Sequence, residues 1–259
     1  MRPIQGLNHP PVYSLRVLAL LPICLAFMLV PLTRAQQNAK DSMAGMNMET
    51  SVAQDDPAVA AKRLADKQES EFNHHFAGFM VILAGLFIVA EDKIGRRWPS
   101  LRYTWPACFF VAGIFLLIFS DTEIWPFGPQ SPWYAITHSR EDLQHKIFAA
   151  ILLMLGWVAL QRTRGRWKAL WAAWFFPVVG AAGAILLLFH VHSGDMHAPH
   201  AMATMQHIQR QHRSFAAVGF GVALANGLAE TPQKWQRFFR AGWAVMLIVL
   251  GLLLVQYTE

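Results

Sequence analysis

Cysteine is almost missing from this chain. Two occur in 259 residues, Cys24 and Cys108. Cys24 lies in an early apolar run directly behind Ile23, where a lipid-attachment site would need a small residue. With that run set aside as a leader, Cys108 stands alone, which excludes an intrachain disulfide framework. Charge is also scarce. Charged residues make up 15%, against ~25% in an ordinary soluble domain. No phosphate loop, zinc-protease pattern or nucleophile motif occurs, so the sequence gives no support for an enzyme. The net charge is +6, but the cations are thinly spread over a very apolar chain, which argues against nucleic acid as a partner.

What the chain has is apolar length. Hydrophobic residues make up 54%, and six runs approach the ~20 residues a helix needs to cross the hydrocarbon core. They cover about 74–91, 103–120, 143–161, 169–190, 209–229 and 240–257. The expected fold is an all-α membrane protein with a six-helix transmembrane bundle in the lipid bilayer. Basic residues follow the first run (Lys93, Arg96, Arg97, Arg102), the third (Arg162, Arg164, Arg166, Lys168) and the fifth (Lys234, Arg237, Arg240). The opposite loops hold only Arg140, Lys146, Arg210 and Arg213. The positive-inside rule makes the first set cytoplasmic. Trp98, Trp105, Trp167, Trp171, Trp235 and Trp243 lie near those ends and read as interfacial anchors.

The start of the chain agrees with that orientation. Arg2 and Arg16 precede the apolar run Val17 to Val30, and Thr33 and Ala35 sit at the −3 and −1 positions of a cleavage site. Residues 1–35 read as a signal peptide, with an uncleaved first helix as the alternative. Either one exports residues 36–73, a polar tail with a helical piece near Ala58–Ser70 and the Met-rich segment Met43–Met48. Residues 74–259 form the membrane domain, and an even number of crossings returns the C-terminus to the outer side.

A weak internal repeat is visible. The third run opens Gln144-His145-Lys146-Ile147-Phe148-Ala149-Ala150, and the fifth opens Gln211-His212-Arg213-Ser214-Phe215-Ala216-Ala217. His74-His75-Phe76-Ala77 is a looser match at the first run, and Arg102/Trp105, Lys168/Trp171 and Arg240/Trp243 open the even runs. The pattern is that of three helical hairpins of one plan.

Histidine carries the functional signal. His9 leaves with the leader, and His74, His75, His138, His145, His190, His192, His197, His200, His207 and His212 all fall at or beyond the outer helix ends. Met196, Met202 and Met205 share the outer loop between the fourth and fifth runs. Thioethers favour Cu(I), and imidazole serves both Cu(I) and Cu(II), so this mixture points to copper. The helix-borne His75, His145, His190 and His212 can converge at one depth as a tight site. His74 should point about 100° away from His75 on a helix. His192, Met196, His197, His200, Met202, Met205 and His207 would form a flexible collector above the site, with Met43–Met48 as a second. Asp195 or Glu141 could orient a ligand histidine. A single terminal histidine is ordinarily an interfacial residue, and a single Met ordinarily packs; the grouping is what argues for metal.

In this combination the chain resembles bacterial copper-resistance membrane proteins of the CopD-like kind. The resemblance rests on His75, His145, His190 and His212 at outer helix ends and on the exported segments Met43–Met48 and Met196–Met205. It implies copper handling, as homeostasis, resistance or transport, in the bacterial cytoplasmic (inner) membrane, with the tail on the periplasmic side. Two other readings stay open. Antiparallel bundles can hold a b-type haem between two histidines, here His145 with His212 or His75 with His190. Alternatively, the loop recruits a periplasmic copper-binding protein during assembly. The helix interiors hold no ionisable residue of the kind that drives a proton-coupled pump. Met80, Cys108, Met154 and Met246 read as packing rather than as a metal path.

Overall fold

The structure is a computed structural model that describes residues 57–190, 201–231 and 234–259. The expected signal peptide, the Met43–Met48 segment, and His192, Met196, His197 and His200 lie outside those residues. The elements are α1 Pro57–Ile94, a 3-10 turn Pro99–Tyr103, α2 Thr104–Phe119, α3 Pro132–His138, α4 Arg140–Thr163, α5 Leu170–Leu188, α6 Ala201–Glu230 and α7 Gln236–Val255. Among the described residues the only β pairing is an isolated bridge, Ile124 with Gln130.

Five stretches are long and apolar enough to cross a membrane: Pro57–Ile94, Pro99–Phe119, Arg140–Thr163, Leu170–Leu188 and Gln236–Val255. Over the described residues the chain is an all-helical, multi-pass membrane protein. α6 has the length, 30 residues, but not the same apolarity. Its first half carries Gln209, Arg210, Gln211, His212 and Arg213, and its second half leans on alanine and glycine.

α1 also departs from expectation. The helical piece near 58–70 and the first apolar run form one helix of 38 residues, about 57 Å long at 1.5 Å per residue. Ala58 to Ala77 contains no glycine or proline, and strong helix formers such as Ala, Lys, Glu and Gln fill it. Two i,i+4 pairs support it, Lys62–Asp66 at 3.0 Å and Lys67–Glu71 at 3.6 Å. The helix exceeds the ~30 Å hydrocarbon core, so its polar first part projects beyond the apolar layer. There Glu69 accepts hydrogen bonds from the Thr122 backbone N–H and hydroxyl at 2.9 and 2.7 Å.

Local signals explain the other boundaries. Ser131 caps α3 by accepting from Tyr134 N–H at 3.1 Å, with Pro132 in the first turn. His138 thereby ends a short helix. Ser139 caps α4 by accepting from Asp142 N–H at 3.2 Å, and Glu141 and Asp142 favour the positive end of the helix dipole. Gly165, at φ +71°, ends α4 in the left-handed conformation that glycine tolerates best.

The six long helices close into a ring. α1 packs on α2 and α7, α2 on α4, α4 on α5, α5 on α6, and α6 on α7. Val81, Ala84 and Ile88 of α1 meet Phe109, Leu155, Phe176, Val222 and Leu247 in its core. Trp105 and Trp243 join this core instead of acting as surface anchors. Their rings meet edge-to-face at 5.3 Å and 89°. Trp98, Trp171 and Trp235 are exposed, as interfacial anchors would be.

Candidate functional site

One hydrogen bond recurs in all three hairpins at the same end of the helices. Asn73 Nδ2 on α1 donates to the Ser120 carbonyl after α2 at 3.4 Å. Gln144 Nε2 on α4 donates to the Phe189 carbonyl after α5 at 3.0 Å. Gln211 Nε2 on α6 donates to the Thr258 carbonyl after α7 at 2.7 Å. Each amide ties its helix to the end of its hairpin partner. The next residue along each of α1, α4 and α6 is a histidine: His74, His145 and His212.

Those three histidines and His190 form a row of rings. His145 and His190 lie 5.4 Å apart, His190 and His212 4.8 Å, and His212 and His74 5.6 Å, centroid to centroid. Of the four residues expected at the tight site, His145, His190 and His212 are brought together. His75 is not among them. One residue on, it turns away and its Nε2 bonds the Tyr257 carbonyl at 3.0 Å. His74 takes the fourth place, stacked on Tyr257 at 3.8 Å and 19°. The adjacent-residue rotation of about 100° was foreseen; which of the pair turns inward was not. The signal that distinguishes them is the amide-His dipeptide Asn73-His74, matching Gln144-His145 and Gln211-His212.

The other ring nitrogens fix the tautomers. His74 Nδ1 lies 2.8 Å from the Ser70 carbonyl, and His212 Nδ1 lies 2.9 Å from the Ile208 carbonyl. A carbonyl only accepts, so both Nδ1 atoms carry the proton. His145 Nδ1 lies 2.8 Å from Asp121 Oδ1. In each case Nε2 is left as the lone-pair nitrogen when the ring is neutral. Imidazoles that bind metal are commonly oriented in this way.

Asp121 is the carboxylate that orients His145; sequence reasoning had favoured Glu141 or Asp195. It is held by Lys146 Nζ at 2.9 Å and by the Ser120 hydroxyl. Burial works against its ionisation. The hydrogen bond and attraction of His145, with hydrogen bonds from Ser120 and Lys146, outweigh that effect and lower the carboxyl's pKa to about 2.

The segment after α7 covers the row. Tyr257 is fully buried, and its hydroxyl donates to Glu259 Oε1 at 2.8 Å. Burial, then the nearby Glu259 charge, pushes the phenol far upward, so it stays protonated. Glu259 reaches α1 by accepting from Ser70 and Lys67 and by donating its backbone N–H to Glu71 Oε1 at 3.0 Å.

Of the described collector residues, Met202 is 72% exposed, Met205 is half-buried, and His207 is exposed with Nε2 3.4 Å from the Thr258 hydroxyl. Cys108 is buried in the ring core. Among the described residues, no three His, Cys, Asp or Glu side chains already surround one point as a metal would require. The imidazoles form a row, not a closed cage. Compared with known proteins, the chain matches no family model, and no curated protein or solved structure is significantly similar to it.

Proposed function

We propose that this chain is a copper-binding integral membrane protein of copper homeostasis, resistance or transport, with its site at the histidine end of the helix ring. The observation that carries the reading is the shared tautomer of His74, His145 and His212. Three helices each present an imidazole whose Nδ1 proton is committed to an oxygen. With metal–nitrogen bonds of about 2.0–2.1 Å, two imidazoles on one tetrahedral ion have ring centroids about 5 Å apart. The row's spacings of 4.8–5.6 Å are of that size, so small ring rotations would suffice to gather ligands. Close ring packing favours an ion over a haem, whose plane would have to enter between two imidazoles on opposite faces.

The reading extends to topology. α6 serves as the sixth crossing, sheltered by α5 and α7. The basic loops face the cytoplasm of a bacterial cell and the histidine end faces the periplasm. His192, Met196, His197, His200, Met202, Met205 and His207 would then serve as the collector where a periplasmic copper-binding protein can deliver or receive the ion. This is the arrangement that the resemblance to copper-resistance membrane proteins implies.

The test is a Cu(I) titration of the purified protein against a competing chelator. Replacing both His145 and His212 with Ala should weaken binding by more than tenfold; an unchanged affinity overturns the proposal. An absorption spectrum of freshly purified membranes should lack a Soret band. A Soret band lost in the same double variant would assign the histidines to haem.

A further inference from the structure

A second site lies at the opposite end of the ring. Seventeen residues separate His74 from Glu91 and His145 from Arg162, about 25 Å of helix. At that end a cavity of about 580 Å3 opens between the helices, well within the ~300–1,000 Å3 of small-molecule pockets.

Its walls are apolar, with Ile88, Leu155, Val158 and Phe176 among them. Two buried polar side chains also line it, Asn226 (3% exposed) and Trp243 (7% exposed). Asn226 Oδ1 and Trp243 Nε1 are fully buried and have no hydrogen-bond partner among the described residues. An indole N–H only donates, so it lacks an acceptor. The amide can turn by 180° to offer its NH2 instead of its oxygen. Leaving such groups unsatisfied is costly, which is a reason to expect a ligand.

The rim sets the ligand's charge. Arg162 is occupied by Glu230 in a two-point pair at 2.8 and 2.6 Å. Arg240 is occupied by Asp92 at 2.9 Å and Glu91 at 3.6 Å. Lys168 and Arg237 also line the cavity, and among the described residues neither has a carboxylate partner. The site therefore has two uncommitted cations and two buried polar groups above an apolar wall.

We propose that this cavity binds an anionic membrane lipid. Its phosphate would be received by Lys168, Arg237, Asn226 and the Trp243 N–H, and its acyl portion would lie against the apolar wall. Basic pockets between membrane helices select anionic headgroups by this chemistry, and phosphate supplies only acceptors to these donors. A free phosphate would satisfy the donors but leave the apolar wall unused.

Native mass spectrometry of the full chain in detergent tests this, with phosphatidylglycerol, phosphatidylcholine or inorganic phosphate added. The wild type should retain phosphatidylglycerol about tenfold better than phosphatidylcholine. Combined Lys168→Gln and Arg237→Gln substitutions should erase that preference. Trp243→Phe removes the donor with little change in ring packing and should weaken retention several-fold. Equal retention of the two lipids, or a preference unchanged in both variants, overturns the proposal. Displacement of the lipid by an equal concentration of inorganic phosphate overturns the lipid and reassigns the site to a free anion. Copper affinity in the same samples should not change, so this test is separate from that of the histidine end.

Discussion

His145 donates its Nδ1–H to Asp121 across 2.8 Å, and this contact leaves Nε2 as the lone-pair nitrogen when the ring is neutral. Lys146 holds the far oxygen of the same carboxylate at 2.9 Å. Replacing Asp121 with Ala would free His145 to change tautomer and rotate. Cu(I) affinity should fall by about 10- to 100-fold, the usual effect of losing such a support. Asp121→Asn keeps an accepting oxygen and should recover part of the loss. Competition titration of the three proteins reads the order; equal affinities would remove Asp121 from the site.

Asp121 also gives an acid dependence whose sign can be worked out. Its folded pKa, about 2, lies below the unfolded carboxylate value. The ionised group, paired with a protonated His145, is thus favoured in the fold, and its contribution is present from about pH 4 up to the pH at which His145 gives up that proton. It is lost as pH falls from about 4 toward 2, and amounts to about 2 kcal/mol. Thermal unfolding in detergent should show this loss in the wild type. Asp121→Asn should be less stable at neutral pH and flatter across that window. A parallel pH profile in the variant would show that other groups control acid unfolding.

His74 and His75 make a matched pair for testing the site. His74 stacks on Tyr257 within the ring row, whereas His75 bonds the Tyr257 carbonyl from outside it. His74→Ala should lower Cu(I) affinity by about tenfold or more, on the scale of a lost ligand. His75→Ala should cost only about 0.5–1.5 kcal/mol of stability through its hydrogen bond and leave copper binding near wild type. The reverse pattern would place the site on the other face of α1.

Much of this architecture was legible because bilayer thickness imposes a coarse pattern on sequence. Five of the six apolar runs are recovered as stretches able to cross a membrane. Alanine and glycine dilute the hydropathy of α6, while Ile208, Phe215, Val218 and Val222 still bury its inner face. The continuity of α1 across Asn73 was hidden by a polarity change, since solvent exposure alters composition without breaking a helix. The grouping of His145, His190 and His212 followed from their common depth. Asp121 was not singled out, because its partner lies 24 residues away on another helix and no spacing rule encodes that contact. Trp105 and Trp243 were misplaced for a related reason. Position near a helix end suggests an interface, but only the ring closure turns these indoles inward.

Gly78 and Gly251 set how closely α1 approaches α7. A Cβ on Gly78 would lie 2.7 Å from the Gly251 carbonyl oxygen, and one on Gly251 would lie 2.6 Å from the Gly78 carbonyl oxygen. The obstruction is backbone on both sides, so a rotamer change cannot relieve it. Close approach through small residues is a common way to pack membrane helices. Gly251→Val should therefore destabilise the ring by about 1–3 kcal/mol or more, as overpacking does. It should also loosen the segment carrying Tyr257 against His74, lowering Cu(I) affinity. Gly242→Ala is the control on the same helix. Nothing lies within 4 Å of its added Cβ, and alanine is favoured over glycine in a helix by about 1 kcal/mol. Thermal melts should show Gly251→Val below wild type and Gly242→Ala at or above it. Equal melting of Gly251→Val and wild type would mean that α1 and α7 do not meet at this pair.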